Sequence, residues 1–232
     1  MIKKILLKIT GTSFLNDRGE LSSSLLRSIA RQIQELSTTY QFNIVMGAGN
    51  FFRGSQQGKQ LGLSGNQGHQ IGMLATGLNG LILQDIFAQE GIATIILTAF
   101  ECPTLGQTIS PTTITDALTH QKTILFIGGT GNPYFSTDTA AIIRGLQIGA
   151  DQIWKATHID GIYDHDPRKH PAAKLLRNVS YEYALQHRLA IMDATAFALA
   201  QEHDIPLRVF NIFEPDALLR ASKDPDFGST VR

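Results

Sequence analysis

The feature that most constrains the fold of this chain is a regular alternation of short apolar runs with segments of helical spacing. Runs typical of strands cover residues 5–9, 43–46, 93–98, 123–127, 152–155 and 207–210. Between them, apolar residues recur every three or four positions, as in the segments from Leu25 to Leu36 and from Ile71 to Ile82. Strands that are apolar on both faces and alternate with helices are typical of parallel sheets covered on both sides. We therefore predict an α/β fold in which a mostly parallel central sheet is sandwiched by helices.

The length and continuity of the chain bound its domain organisation. With 232 residues, of which 43% are hydrophobic, the chain can bury a sizeable core as one domain or as two joined lobes. We find no internal repeat, low-complexity tract or long linker. The most loop-like segment, residues 164–179, is rich in Pro, Lys, Arg and His and could divide two lobes. We predict a single domain over residues 1–232.

Composition narrows the classes of partner and compartment. Lysine plus arginine and aspartate plus glutamate number 20 each, so global charge favours neither nucleic acid nor an acidic membrane surface as a partner. The single cysteine, Cys102, cannot form an internal disulfide, which is typical of reduced cytoplasmic proteins. We expect no signal peptide and no apolar stretch approaching the ~20 residues of a membrane span. The histidines have no ligand spacing, so we expect no structural metal site.

Three of the strand exits are rich in glycine and small hydroxyl residues. Thr10-Gly11 follows the first run, "GAGN" (47–50) follows the second, and "GGTGN" (128–132) follows the fourth. Ligands of parallel α/β sheets bind where strands end, and glycine turns allow backbone N–H groups to approach an anion. One such loop is only a turn, but three in one sheet predict a phosphate-rich ligand or two ligands side by side.

Charged residues near these exits allow two interpretations. No acidic residue occurs between Glu35 and Asp85, whereas Arg53 lies within that segment. The segment is either an amide-rich surface loop or a part of the chain that faces an anion. Lys8 precedes the first glycine turn and is either an ordinary strand lysine or a point charge for a transferring phosphoryl group. Thr137 and Asp138 lie at a predicted helix start, where an N-cap role would suffice for one of them but where Asp138 could also face a reacting centre. The P-loop and the G-x-G-x-x-G fingerprints are absent.

Six blocks of sequence resemble the uridylate (UMP) kinase branch of the amino acid kinase family. In chain order they are "KILLKITG", "GAGNFFRG", "GMLATGLNGLILQD", "GGTGNPYFSTDTAAIIRGLQIGAD", "WKATHIDGIYDHDP" and "IMDATAFALAQEHDIPLRVFN". The resemblance implies the three-layer amino acid kinase fold, with a UMP-binding lobe over about residues 1–150 and an ATP-binding lobe over about 151–232. It also implies a cytoplasmic homohexamer that transfers the γ-phosphoryl group of ATP to UMP with Mg²⁺, which would be bound with ATP rather than at a direct protein site.

The resemblance also implies roles for individual positions. The residues implied in catalysis are Lys8, Arg53, Asp138 and Asp193. Those implied in ATP binding are Lys8, Ile9, Thr10, Gly11, Gly49, Arg53, Thr157, Tyr163 and Asp166. Those implied in UMP binding are Ala48, His69, Thr130, Gly131, Asn132, Pro133, Tyr134, Phe135, Ser136 and Thr137.

At several positions the chain departs from the pattern of that family. The resemblance implies an aspartate on the UMP ribose where His69 stands, so either His69 contacts the sugar more weakly or recognition moves to Gln67 or Gln70. Ala48 replaces a glycine, and Thr12 replaces a carboxylate. The stretch "TSFLNDRGELSS" (12–23) lacks the glycine pattern of the arm associated with GTP activation, which leaves allosteric control open.

Fold does not fix function, and three alternatives remain at this point. A kinase of the same superfamily could use a different small acceptor. A non-catalytic relative, such as a nucleotide sensor or an oxyanion-storage subunit, would keep the fold. A dinucleotide-dependent oxidoreductase would need a fingerprint that the sequence lacks. The joint presence of Lys8, Arg53, Asp138 and Asp193 favours an active kinase.

Overall fold

The structure is a computed structural model and describes residues 2–54, 56–167, 169–187, 189 and 192–232; one of the blocks quoted above begins at residue 191, outside this set. The strands are β1 (Lys3–Ile9), β2 (Tyr40–Met46), β3 (Thr94–Thr98), β4 (Gln107–Thr108), β5 (Thr123–Ile127), β6 (Gln152–Thr157), β7 (Ile162–Tyr163), β8 (Leu175–Leu176), β9 (Asn178–Val179), β10 (Leu207–Asn211) and β11 (Ser229–Val231). The helices are α1 (Ser24–Glu35), α2 (Gln57–Gln60), α3 (Gly65–Gln89), α4 (Pro111–Thr119), α5 (Thr137–Ile148), α6 (Tyr181–Gln186), α7 (Ala194–Glu202) and α8 (Ala217–Lys223), with a 3₁₀ turn over Gly11–Phe14.

The predicted α/β class and its mostly parallel sheet are confirmed. Nine strands form one sheet in the order β4-β3-β5-β2-β1-β6-β10-β11-β9, and a separate pair joins β7 to β8. Within the nine-stranded sheet the pairing of β10 with β11 is antiparallel, and the others are parallel. Each of the six predicted runs overlaps a strand, and β5 has the predicted bounds.

The sheet is the middle of three layers because its central strands are apolar on both faces. Along β1, Ile5, Leu7 and Ile9 face a core built with α1, α3 and α8. Leu6 faces the opposite core, which is built with α4, α5 and α7. Full burial of such side chains contributes roughly 1.5–3 kcal/mol each, so the two cores fix the layers around the sheet.

The long helix α3 packs its small-residue face on the sheet and turns larger side chains outward. Ala75, Thr76 and Asn79 are buried, whereas Leu74, Leu78 and Leu81 are 54%, 50% and 41% exposed. At 25 residues, α3 is long and apolar enough to cross a membrane by length and composition alone, so the expectation that no stretch of the chain reaches that length is wrong. In this fold α3 contacts β2, β3 and β5.

Candidate active site

The three glycine-rich exits meet at one edge of the sheet. β5, β2 and β1 are neighbouring parallel strands, so the loops that follow them lie side by side. The first two loops approach closely at Gly11, where a Cβ would lie 2.6 Å from the Asn50 side-chain oxygen and 2.7 Å from the Gly49 nitrogen. Only glycine fits there, which explains the residue type that the sequence analysis noted.

A cavity of about 350 Å³ opens between these loops and the start of α3. It brings together much of the predicted site, namely Lys8, Thr10, Gly11, Ala48, Gly49, Arg53, His69, Thr130, Asn132, Phe135 and Thr137. The predicted residues outside its lining are Ile9, Gly131, Pro133, Tyr134, Ser136, Asp138, Thr157, Tyr163, Asp166 and Asp193. The cavity is large enough for one small ligand but not for two whole nucleotides.

Two lysines and one aspartate form an ion-pair cluster below the cavity. Asp138, in the first turn of α5, lies 2.8 Å from the Lys8 ammonium and 2.6 Å from the Lys155 ammonium. Burial alone would raise the pKa of Asp138, but the two ammonium groups outweigh it and hold that pKa below its ordinary value. Burial lowers the pKa of Lys155, and the Asp138 carboxylate acts against this shift. The aspartate therefore stays ionised and holds two cations at the sheet edge.

Lys155 is a central residue of this cluster that our sequence analysis did not single out. It pairs in register with Lys8 across β1 and β6, so the two side chains emerge on the same face of the sheet. Its side chain is only 10% exposed. The available signal was a lysine inside the apolar run "QIWKAT", because buried lysines are rare unless they are paired.

Ser136 is the residue that caps α5. Its hydroxyl accepts hydrogen bonds from the backbone N–H groups of Asp138 and Thr139, at 3.0 and 3.1 Å. The cap role that the sequence analysis considered for Thr137 or Asp138 is therefore taken by their neighbour. This leaves the Asp138 carboxylate available to the lysines.

Asp193 lies behind the start of α5, at the N-cap position of α7. Its carboxylate accepts hydrogen bonds from the hydroxyls of Ser136 and of Thr139, the second at 2.7 Å. These bonds tie α7 to the segment that carries Asp138. Asp193 is thus hydrogen-bonded to the start of α5, the turn that carries Asp138.

Two buried polar residues of α3 anchor two of the glycine loops, and the sequence analysis missed both. The Asn79 amide donates to the Gly47 carbonyl at 2.8 Å and exchanges hydrogen bonds with the Asn50 side chain at 2.9 Å. One turn away, the Thr76 hydroxyl accepts from the Gly128 N–H at 2.7 Å. Their spacing of three residues on one helix face was a usable signal.

Two arginines lie at the loops in different environments. Arg53 is exposed, and its Nε donates to the Gly49 carbonyl at 3.3 Å. Arg144 in α5 is buried, donates to the Gly129 carbonyl at 3.1 Å and lies over the Phe126 ring. Because burial disfavours its charge, the pKa of Arg144 is lowered from its usual range.

His69 lines the cavity and is packed by an aromatic residue from the segment that follows the "GGTGN" loop. The His69 and Tyr134 rings lie 4.8 Å apart between centroids. Tyr134 is 70% exposed, and its backbone is in the left-handed region, with a φ of 69°. Gln67 and Gln70, the alternative sugar contacts, are exposed and do not line the cavity.

The three residues predicted on the adenine-nucleotide side lie beyond the cavity, past β6. Thr157 is buried at the end of that strand. Tyr163 lies on β7 and its hydroxyl donates to Asp160 at 3.4 Å, while Asp166 lies in the following loop. This region adjoins the lysines through β6, since Thr157 lies two residues after Lys155 and therefore on the same face of the strand.

The acidic residues of the site are committed to other partners. Asp138 bonds to lysines and Asp193 to hydroxyls. Over residues 2–54, 56–167, 169–187, 189 and 192–232, no three His, Cys, Asp or Glu side chains are grouped to hold a metal ion. A carboxylate has further lone pairs, so either aspartate fits a shared Mg²⁺ whose other ligands are phosphates and water.

Comparison with known proteins adds a second line of evidence. Residues 3–211 match the amino acid kinase family. A protein named uridylate kinase from Haemophilus influenzae is 37% identical over 231 residues, covering 99% of this chain and 97% of that protein. The crystal structure of UMP kinase from Ureaplasma parvum superposes with a TM-score of 0.92 at 34% identity, covering 100% of this chain and 99% of that one. That of UMP kinase from Bacillus anthracis gives a TM-score of 0.93 at 26% identity, covering 99% and 96%.

Proposed function

The chain belongs to the amino acid kinase family, and from this premise we propose that it is an enzyme that transfers a phosphoryl group from ATP to UMP, giving UDP and ADP. The observation that carries the proposal is the Lys8–Asp138–Lys155 cluster at the edge where the glycine loops converge. The near full-length similarity to proteins named uridylate kinase supports UMP as the acceptor. We assign the reaction to the synthesis of pyrimidine nucleotides.

Phosphoryl transfer needs little covalent help from a protein. It needs the two substrates in line and the charge on the transferring oxygens neutralised. In our proposal, the Lys8 and Lys155 ammonium groups bind those oxygens, and Asp138 keeps both lysines oriented. Because Asp138 stays ionised at neutral pH, this arrangement exists before substrates bind and requires no reorganisation during the reaction.

The two substrates would occupy opposite sides of the cluster. UMP would lie in the cavity, against Ala48, His69 and the segment from Thr130 to Thr137. The phosphates of ATP would reach the same cavity at residues 8–11, Gly49 and Arg53, and the rest of ATP would extend past β6 toward Thr157, Tyr163 and Asp166. Support for this division comes from the size of the cavity, about 350 Å³, which suits a single nucleotide.

We also propose that ATP is used together with Mg²⁺. The ion supplies charge neutralisation at the phosphates, where Asp193 or Asp138 would help to organise it. The chain itself contributes the lysines, the loop N–H groups and the orientation of both nucleotides. No dedicated protein metal site is part of the proposal.

The remaining proposals concern the compartment, the partners and the oligomeric state of the enzyme. We propose a cytoplasmic protein without nucleic-acid or membrane partners, in keeping with its balanced charge and single cysteine. We further propose a homohexamer in which α3 packs against a second copy, since Leu74, Leu78 and Leu81 form an exposed apolar stripe on it. Sedimentation that gave a monomer at micromolar concentration would contradict the assembly.

The experiment that tests the function is an ADP-release assay with ATP and Mg²⁺ and a panel of acceptors: UMP, CMP, aspartate and acetylglutamate. We expect turnover with UMP that exceeds turnover with the other acceptors. Turnover with an amino acid but not with UMP would show that the protein is a kinase of the same superfamily that uses a different acceptor. An inactive protein that still binds nucleotide would favour a sensor or storage role.

Addition of GTP or UTP to the UMP reaction tests allosteric control.

A further inference from the structure

We propose that this site discriminates weakly between ribonucleotide and deoxyribonucleotide acceptors, because the wall that would face the sugar carries a histidine and no carboxylate. The inference rests on the proposed function and deepens it, since it concerns the acceptor of the same reaction. Two observations support it. They are the side chains of the cavity wall formed by α3, and the hydrogen bonds that already engage the hydroxyl groups beside that wall.

The position of the sugar follows from the two ends of the cavity. One end is cationic and rich in loop N–H groups, from Lys8, Gly11 and Gly49, and is where the acceptor phosphate would meet the transferring phosphoryl group of ATP. A nucleotide bound there by its phosphate extends its nucleoside along α3. The α3 side chains that line the cavity are His69, Met73 and Thr76.

Hydroxyl groups near this wall are already committed. Thr76 donates to the Met73 carbonyl at 2.6 Å and accepts from the Gly128 N–H at 2.7 Å. On the opposite wall, the Thr130 hydroxyl donates to the Asn132 carbonyl and accepts from the Asn132 N–H, both at 3.1 Å. Among the described residues that line the cavity there is no aspartate or glutamate. On the α3 wall, His69 is therefore the side chain left to meet the sugar.

His69 is held in this position by its surroundings. The Tyr134 ring, from the segment that follows the "GGTGN" loop, packs on it at 4.8 Å between centroids. The first turn of α3 is fixed against the Arg53–Gly54 turn, since a Cβ on Gly68 would lie 2.9 Å from the Gly54 carbonyl oxygen. Sequence and packing thus place an imidazole at this wall in a defined orientation.

The chemistry of the imidazole limits what it can distinguish. A carboxylate accepts hydrogen bonds from both ribose hydroxyls, whereas a neutral imidazole accepts through one nitrogen and a protonated imidazole accepts none. A site rejects an analogue that lacks a hydroxyl only when a buried partner is then left unpaired. His69 is partly exposed, so water can replace a missing hydroxyl. We expect kcat/KM for UMP to exceed that for dUMP by less than about tenfold.

The test compares UMP with dUMP in the same phosphotransfer assay, with direct binding by calorimetry as a second readout. Three proteins are used: the wild type, His69→Asp, and the control Asn66→Asp, which adds the same charge at an exposed position one turn earlier on α3. We expect His69→Asp to raise the UMP-to-dUMP ratio by about 10- to 100-fold, and the control to leave it unchanged.

The outcomes separate this inference from the proposed function. A wild-type ratio above about 100-fold in kcat/KM or in Kd overturns the inference, even where UMP phosphorylation is confirmed. A variant ratio equal to that of the wild type overturns it as well. Absence of turnover with tight, equal binding of both nucleotides would contradict the kinase function and still support the inference. If His69→Asp does not fold, the wild-type ratio alone decides.

Discussion

At the scale of single residues, Asp138 is the part of the site on which the other charges depend. It separates two ammonium groups that would otherwise repel each other in a largely buried environment. Its lowered pKa is the balance of burial, which opposes ionisation, against the stronger effect of Lys8 and Lys155. A group with a lowered pKa in the folded protein stabilises it above the ordinary pKa and loses that contribution as the pH falls through the folded value.

The corresponding prediction concerns Asp138→Asn. At pH 7 we expect the free energy of unfolding to fall by about 3–5 kcal/mol, because two buried cations lose their common partner. Below about pH 3.9 the carboxylate of the unfolded wild-type chain takes up a proton, whereas the folded protein keeps Asp138 ionised to a lower pH. The wild type therefore loses stability there, and the difference between the two proteins should narrow. Urea denaturation at pH 7, 5 and 3 measures it. The exposed Asp116→Asn is the control, and a difference independent of pH would contradict the assignment.

Residue chemistry explains what the sequence could predict about the site. Lys8, the glycines and the polar residues of the loops were recognisable because they interrupt apolar strands at the positions where ligands bind. Lys155 was missed because a single lysine in a strand carries no local sign of its partner across the sheet. The capping residue was also misjudged, since Ser136, Thr137 and Asp138 have similar capping preferences and only geometry separates them.

At the scale of elements, α3 joins the glycine loops to the fold. Asn79 and Thr76 project from one face and bond to the backbones of the "GAGN" and "GGTGN" loops. The sequence predicted the helix and its apolar positions, but not which face would pack on the sheet. The leucine stripe was the stronger pattern, yet the small-residue face allows the closer approach.

We predict that Asn79→Leu destabilises the protein by about 1–3 kcal/mol, because the Gly47 carbonyl and the Asn50 amide lose a buried partner. The loosened loop should also raise KM for the nucleotides. Thermal unfolding and steady-state kinetics measure the two effects. Asn66→Leu makes the same change at an exposed position of α3 and should alter stability by less than about 0.5 kcal/mol. Equal losses of stability in both variants would contradict the anchoring role of Asn79.

At the scale of the whole molecule, one continuous sheet runs through both halves of the chain. β1 to β5 come from residues before 150 and β6, β9, β10 and β11 from residues after it. The order of the strands could not be read from the sequence, because apolar pattern identifies strands but not their neighbours. That order is what brings Lys8 beside Lys155 and sets both under the loops. The division into a UMP lobe and an ATP lobe stays a prediction.

The measurement that tests the central claim most directly is the kcat/KM of Lys8→Ala for phosphoryl transfer from ATP to UMP, beside the exposed Lys3→Ala as control. If fixed cations at this sheet edge neutralise the transferring group, Lys8→Ala should lower kcat/KM by about 10²–10³-fold, or roughly 3–4 kcal/mol, while the protein still folds. Arg53→Ala should show a loss of the same order, and Lys3→Ala should match the wild type. Near-normal turnover by a folded Lys8→Ala protein would contradict the account.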